Sequence, residues 1–246
     1  MNIRRSWVFV CVAAASAALA LPASAGNLAA PMNTAVPIYL GSSNMLSMIG
    51  AARTSTENYY GKQASGGDER PGEAARAPDF GIADDAAVSE QARQAFLSGL
   101  VANSGQAAAD EVDQRFGNIR TTFRRVVSPY GLSADNFADV MTAYVVIMWM
   151  AANRQVDLPQ VAQVQGVRRQ MQSALAGKLS DAAKRQLVAE TMMYQTCVAV
   201  AAREEAQAKG NVQILDQLSN ALDRSGGNGA QQLRQMALTN QGLVSR

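Results

Sequence analysis

The chain contains no histidine in its 246 residues. That excludes His-based catalytic triads, Cys–His dyads and His-ligated zinc or haem. It removes the commonest general base and leaves carboxylate, lysine and tyrosine chemistry open. Cysteine is nearly absent as well, with only Cys11 and Cys197. Cys11 lies in a segment expected to be cleaved, so Cys197 is the one thiol expected in the mature chain. An intramolecular disulfide is then impossible, and stability must rest on a hydrophobic core. Aromatic residues make up 6% of the chain, which under-supplies a sugar-stacking groove. Charge of one sign is not in excess either. The whole chain has 22 Lys plus Arg and 20 Asp plus Glu, and without Arg4 and Arg5 of the cleaved segment the two counts are equal. A neutral balance argues against a dedicated nucleic-acid binder, which needs a basic face to neutralise phosphates, and against long-range electrostatic steering. After the first segment no stretch reaches the roughly 18 consecutive apolar residues of a membrane span.

What is present begins at the N-terminus. Arg4 and Arg5 precede an apolar run from Trp7 to Leu21, and Ala23-Ser24-Ala25 follows. A basic start, a short apolar stretch and an A-x-A site form a secretory signal peptide. The run is shorter than the roughly 20 residues a spanning helix needs. Cys11 lies inside the run, not at a lipoprotein cleavage position. The expectation is a signal peptide over 1–25, a mature chain from Gly26, and a periplasmic or secreted location. Residues 26–85 read as a flexible linker or arm, because Gly61 to Gly81 mixes glycine, proline, alanine and charge without periodicity. Val36 to Ile49 is locally apolar and is expected to be a packing arm, or a segment that engages a partner.

Residues 86–246 are rich in helix formers. The pattern predicts an all-α multi-helix bundle of about six or seven helices with short connections. Asp84 or Asp85 caps a first helix to about Asn103, which Gly105 ends. A second stretch covers about Ala107 to Val127, with a possible break at Gly117, and Ser128-Pro129-Tyr130-Gly131 turns the chain. Ser133 is the expected N-cap of a helix over 134–153. Its stripe of Phe137, Val140, Met141, Tyr144, Val145, Met148, Trp149 and Ala152 is joined by Val146, Ile147 and Met150, so this helix should form the centre of the bundle. Asp157 is expected to cap the next helix, to about Ala176, with Val161, Val164, Val167, Met171 and Leu175 inward and Gly177 at its end. Ser180 is expected to cap a long helix from Asp181 to Lys209, stopped by Gly210. Shorter helices are expected over 212–222 and 230–236. No alternating strand pattern stands out after residue 50, and no fixed-period repeat suggests a solenoid.

Chemistry is sparse. Cys197 has no histidine to activate it and sits beside an apolar stripe, so it reads as a buried apolar residue. Met193 and Cys197 form an i, i+4 pair with Met192 adjacent, soft ligands of the type that hold Cu(I), although methionines at helical spacing usually fill cores. Asp135, Asp139, Glu190, Glu204 and Glu205 are the carboxylates weighed for acid–base work on envelope polymers. Asp139 lies near the core stripe and is expected to be structural, with Arg168 or Arg169 as its partner on the neighbouring helix. Arg120 with Arg124 and Arg125, and Arg168 with Arg169, read as solvated helix faces.

The run Ser128-Pro129-Tyr130-Gly131-Leu132 followed by Ala138-Asp139-Val140-Met141-Thr142-Ala143-Tyr144, with Val167-Arg168-Arg169-Gln170 and Met193-Tyr194-Gln195-Thr196, resembles a family of exported helical domains of unknown function from Gram-negative bacteria. The resemblance spans roughly 86–246. It implies export and a helical core, and it brings no activity and no catalytic residues. The sequence therefore assigns no catalytic, cofactor-binding or metal-ligating residue and no cofactor, and it leans away from an enzyme. The leading expectation is a non-enzymatic periplasmic or secreted protein-interaction module with a protein partner in the cell envelope. A carboxylate-dependent cell-envelope hydrolase is one alternative, recognisable by a polar cleft holding Asp139 or Glu190. A soft-metal or small apolar-ligand carrier is the other, recognisable by a cavity lined by Met193 and Cys197.

Overall fold

The computed structural model describes residues 79–176, 181–225 and 229–246. The expected signal peptide, almost all of the expected arm with its 36–49 segment, and the expected roles of Gly177 and Ser180 lie outside the described residues. Those that are described form eight α-helices, one 3-10 turn and a two-stranded hairpin. The fold is an all-α bundle with a small β appendage.

The helices start and stop for local reasons. Asp85 caps α1 (Ala86–Ser104), its carboxylate accepting from the Ala87 and Val88 amides at 2.8 and 3.2 Å. Gly105 separates α1 from α2 (Gln106–Phe116), and Gly117, at φ +47°, ends α2. Asn118 caps α3 (Ile119–Val127). The suspected break at Gly117 is thus real, because a positive φ suits glycine and halts a helix. Pro129 then sits in a 3-10 turn, Ser128–Tyr130, closed by Gly131 at φ +70°.

Two caps differ from expectation. The cap of α4 (Phe137–Ala152) is Asn136, whose side chain accepts from the Asp139 amide. Ser133 lies one turn earlier, and its hydroxyl accepts from the Asp135 amide within a turn. The cap of α5 (Val161–Leu175) is Gln160, in a reciprocal capping box with Gln163, not Asp157. Pro159 keeps residue 158 out of the helical region, so the helix cannot begin at Asp157. Val161 is accordingly on the first turn and half exposed, not inward, whereas Val164, Val167, Met171 and Leu175 are buried. Asp181 caps α6 (Ala182–Lys209) by accepting from the Lys184 amide, and Gly210, at φ +60°, ends it. α7 (Val212–Ser225) and α8 (Gly229–Arg234) follow.

α4 and α6 form the axis of the bundle. α4 packs against α5, α6, α7 and α8, and α6 packs against α1, α2, α3 and α7 as well. Nearly every α4 side chain is buried, including the expected stripe apart from the half-buried Trp149. The chain ahead of α1 also belongs to the packed unit. Phe80 and Ile82 lie against the core, and residues 80–82 exchange backbone hydrogen bonds with 135–137.

The C-terminus departs most from expectation. In place of a helix to residue 236 followed by a tail, β1 (Met236–Thr239) pairs antiparallel with β2 (Gly242–Ser245) across a two-residue turn. Strands of four residues are too short to show alternation. The hairpin docks on α5. Gln170 accepts from the Leu243 amide at 2.9 Å and donates to the Leu243 carbonyl at 3.1 Å. Gln163 donates to the Leu238 carbonyl and Arg169 to that of Asn240. Gly166, between them on the same face, lets the turn backbone touch the helix: a Cβ there would fall under 3.0 Å from Asn240 and Gly242 backbone atoms.

Candidate functional site

Two of the carboxylates singled out in the sequence, Asp139 and Glu190, are structural. Asp139 is fully buried at the start of α4. It forms a two-pronged pair with Arg168 of α5, Nε to Oδ1 at 2.6 Å and Nη2 to Oδ2 at 2.9 Å, and accepts the Ser133 amide at 2.9 Å. This is the partnership anticipated from the sequence, with Arg168 as the partner, while Arg169 serves the hairpin.

Glu190 is also fully buried, in the N-terminal half of α6. Its Oε1 accepts from Arg120 Nε at 2.8 Å, Ser89 Oγ at 2.9 Å and Gln186 Nε2 at 3.1 Å. Its Oε2 has no hydrogen-bond partner among the described residues. Gln186 beside it accepts from the Asp85 amide at 3.0 Å and donates to the Asp85 carbonyl at 2.8 Å. α1, α3 and α6 are thereby joined through one polar cluster. Arg120, expected on a solvated face, is instead largely buried there, with Asp84 and Asp135 at 3.8 and 3.6 Å from its Nη1. Arg168 departs from the same expectation. Arg124, Arg125 and Arg169 do face solvent.

Cys197 and Met193 lie in the packed core. Burial, and secondarily the Glu204 carboxylate, push the Cys197 thiol up to about 12. A thiol held protonated is neither a nucleophile nor a ready metal ligand.

The structure contains a feature the sequence did not reveal, a cavity of about 590 Å3 between α3, α4, α6 and the α4–α5 connection. Its wall is mostly apolar: Val126 of α3, Val146 and Met150 of α4, and Val200 of α6. Leu158, half exposed, is part of the wall, so the apolar interior is continuous with the outer surface. Neither Asp139 nor Glu190 lines it, and neither Met193 nor Cys197 does.

Two polar residues of the wall stand out. Thr196 and Arg203 lie seven residues apart on α6, with Val200 between them, so one helix face supplies all three. The Thr196 hydroxyl is buried and has no hydrogen-bond partner among the described residues. Arg203 is 5% exposed. Its Nε and Nη2 both donate to the Val156 carbonyl, and Nη2 reaches Gln207 Oε1 at 3.3 Å. Burial lowers its proton affinity, against the opposing fields of Glu204, Tyr130 and Asp157. The Tyr130 phenol, also of the wall, is shifted up by burial and held back by the Arg203 charge. In the sequence Arg203 is one more charge near the polar end of a long helix. What distinguishes it is the α4–α5 connection folding over it.

A shallower depression between α1 and α2 is bordered by the Arg93–Asp113 pair at 2.6 Å. Among the described residues no helix is long and apolar enough to cross a membrane. No family model, no curated protein and no solved structure matches this chain.

Proposed function

We propose that this chain is an exported, non-enzymatic binding protein that holds an apolar ligand in the cavity between α3, α4 and α6. The observation that carries this reading is the cavity itself. Its volume falls within the ~300–1,000 Å3 of small-molecule sites, and its apolar wall with a few polar groups is the composition such sites have. Asp139 and Glu190, the carboxylates by which a hydrolase cleft was to be recognised, are engaged in interhelical ion pairs away from it, and Glu204 is the one acid of the wall, with no second carboxylate beside it there. The sulfurs that a soft-metal carrier would use are packed in the core. Export rests on the basic start, apolar run and Ala23-Ser24-Ala25 site.

A protein partner remains the second reading, favoured by the half-exposed Leu158 of the wall. There an apolar side chain of the partner fills the cavity in place of a free ligand.

The test is titration of the exported chain with N-phenyl-1-naphthylamine, a neutral fluorophore that brightens in apolar surroundings. Saturable binding at one site is expected. Ala143→Phe and Val200→Phe, which place a ring inside the cavity, should each abolish it in protein that still unfolds cooperatively. Binding that does not saturate, or that survives both substitutions, overturns the reading. N-terminal sequencing of the same material tests export, and an intact Met1 refutes it.

A further inference from the structure

We propose that the ligand of this cavity is an amphiphile with an anionic head, a carboxylate or a phosphate monoester, and that Arg203 selects it. The inference rests on the ligand-binding reading above and adds the chemical class.

The argument begins with how the chain treats its other interior arginines. Arg120 has Glu190 at 2.8 Å, Arg168 has Asp139 at 2.6 Å, and Arg185 has Asp79 at 3.5 Å. Removing a guanidinium from water is costly, and an opposed carboxylate is the usual compensation. Arg203 is as deeply placed as any of these and has no carboxylate within 4.0 Å among the described residues. Glu204 and Asp157 act on its charge from further away. Its Nε and Nη2 are occupied by the Val156 carbonyl and Gln207, while Nη1 donates to no group among the described residues.

A charged donor is therefore left beside an apolar wall. An anionic head placed there makes charge-assisted hydrogen bonds in a low-dielectric setting, where they are strong. The chain behind the head meets Val146, Met150 and Val200. Arg125 and Glu204, both exposed, are the other charges of the wall, so the cavity carries a net positive charge even with Glu204 ionised. That balance suits one negative head and disfavours a cationic one.

The test is displacement of N-phenyl-1-naphthylamine by three ligands of equal tail length: decanoate, decyl phosphate and decanol. Both anions should bind about tenfold or more tighter than the alcohol, the increment of one hydrogen bond to a charged group. The stronger of the two identifies the head. Arg203→Gln should bring the anions down to the level of the alcohol, which it weakens far less than the anions, and Arg203→Lys should retain part of the preference. Glu204→Gln should move the other way, tightening the anions alone. An alcohol that binds as well as the anions, or a preference that survives Arg203→Gln, overturns the assignment and leaves the cavity reading intact. If the fluorophore itself fails to bind, the cavity reading falls and this inference falls with it.

Discussion

The two halves of α6 bury polar groups in opposite ways. In the N-terminal half, Gln186 and Glu190 meet Arg120, Ser89 and the Asp85 backbone, and one carboxylate joins three helices. In the C-terminal half, among the described residues, the buried Thr196 hydroxyl has no partner and Arg203 has no acid within 4.0 Å, beside open volume. In the first arrangement the buried acid is opposed by a base and by neutral donors, all through Glu190 Oε1, while its Oε2 has no partner among the described residues. The second leaves the Thr196 hydroxyl and Arg203 Nη1 without a partner among the described residues beside a void, which for the buried hydroxyl costs stability unless something else completes it. The contrast within one helix is between an acid opposed by a base and a base beside open volume.

The comparison is broken most severely at Glu190. Glu190→Ala leaves the Arg120 guanidinium in the interior without its main partner, a loss of about 3–5 kcal/mol. Urea unfolding measures it. A loss under about 1 kcal/mol would show that the cluster is not structural.

Cys197 lies near the middle of α6 and probes how dry the core is there. Burial holds its thiol near 12 in the folded state, against an ordinary value of 9.0. Below the ordinary value both states keep the proton and stability does not depend on it. As pH rises from there towards about 12, the unfolded thiol ionises while the folded one does not, so stability falls across that window. Tyr144 and Tyr194, also raised by burial, contribute a fall in the same direction. Comparing alkaline unfolding of the native chain with Cys197→Ala isolates the thiol, because the variant should show a shallower fall. Equal slopes would mean that the thiol is open to solvent.

The smallest effect belongs to Thr196→Val. Replacing a buried hydroxyl that has no partner with a methyl should leave stability unchanged or raise it by up to about 1 kcal/mol. A clear destabilisation in thermal unfolding would reveal a hydrogen bond at Thr196 and weaken the contrast with Glu190.

Some of this was legible in the sequence. The stripe of α4 announced a central helix, since nearly every position along it is apolar. Asp139, one turn into that helix and turned to its core side, called for a cation, and Arg168 supplies it. Gly105, Gly117, Gly131 and Gly210 marked helix ends correctly, because a positive φ is a local property. Other features could not be read. Arg120 looked like its neighbours Arg124 and Arg125, and only the approach of α1 and α6 distinguishes it. The hairpin has strands too short to alternate, and it owes its place to Gln170 and Gly166, far away in sequence. Ser133 and Asp157 are capable caps, but the fold used Asn136 and Gln160. The cavity has no sequence signal, since Val146, Met150 and Val200 are indistinguishable from core residues until the helices are placed.

The sequence by itself determined the main helices and their order, the burial of Cys197 and the exclusion of histidine chemistry, because composition and a 3.6-residue period are properties of neighbouring residues. Tertiary structure alone decided which charges meet, where the C-terminal hairpin lies and where the interior stays open. Those outcomes depend on helix-to-helix distances, which are set by side chains far apart in the chain packing against one another. The difference between Arg120 and Arg203 is of this kind: the residues are chemically identical, and only the surrounding helices give one a carboxylate and the other a cavity.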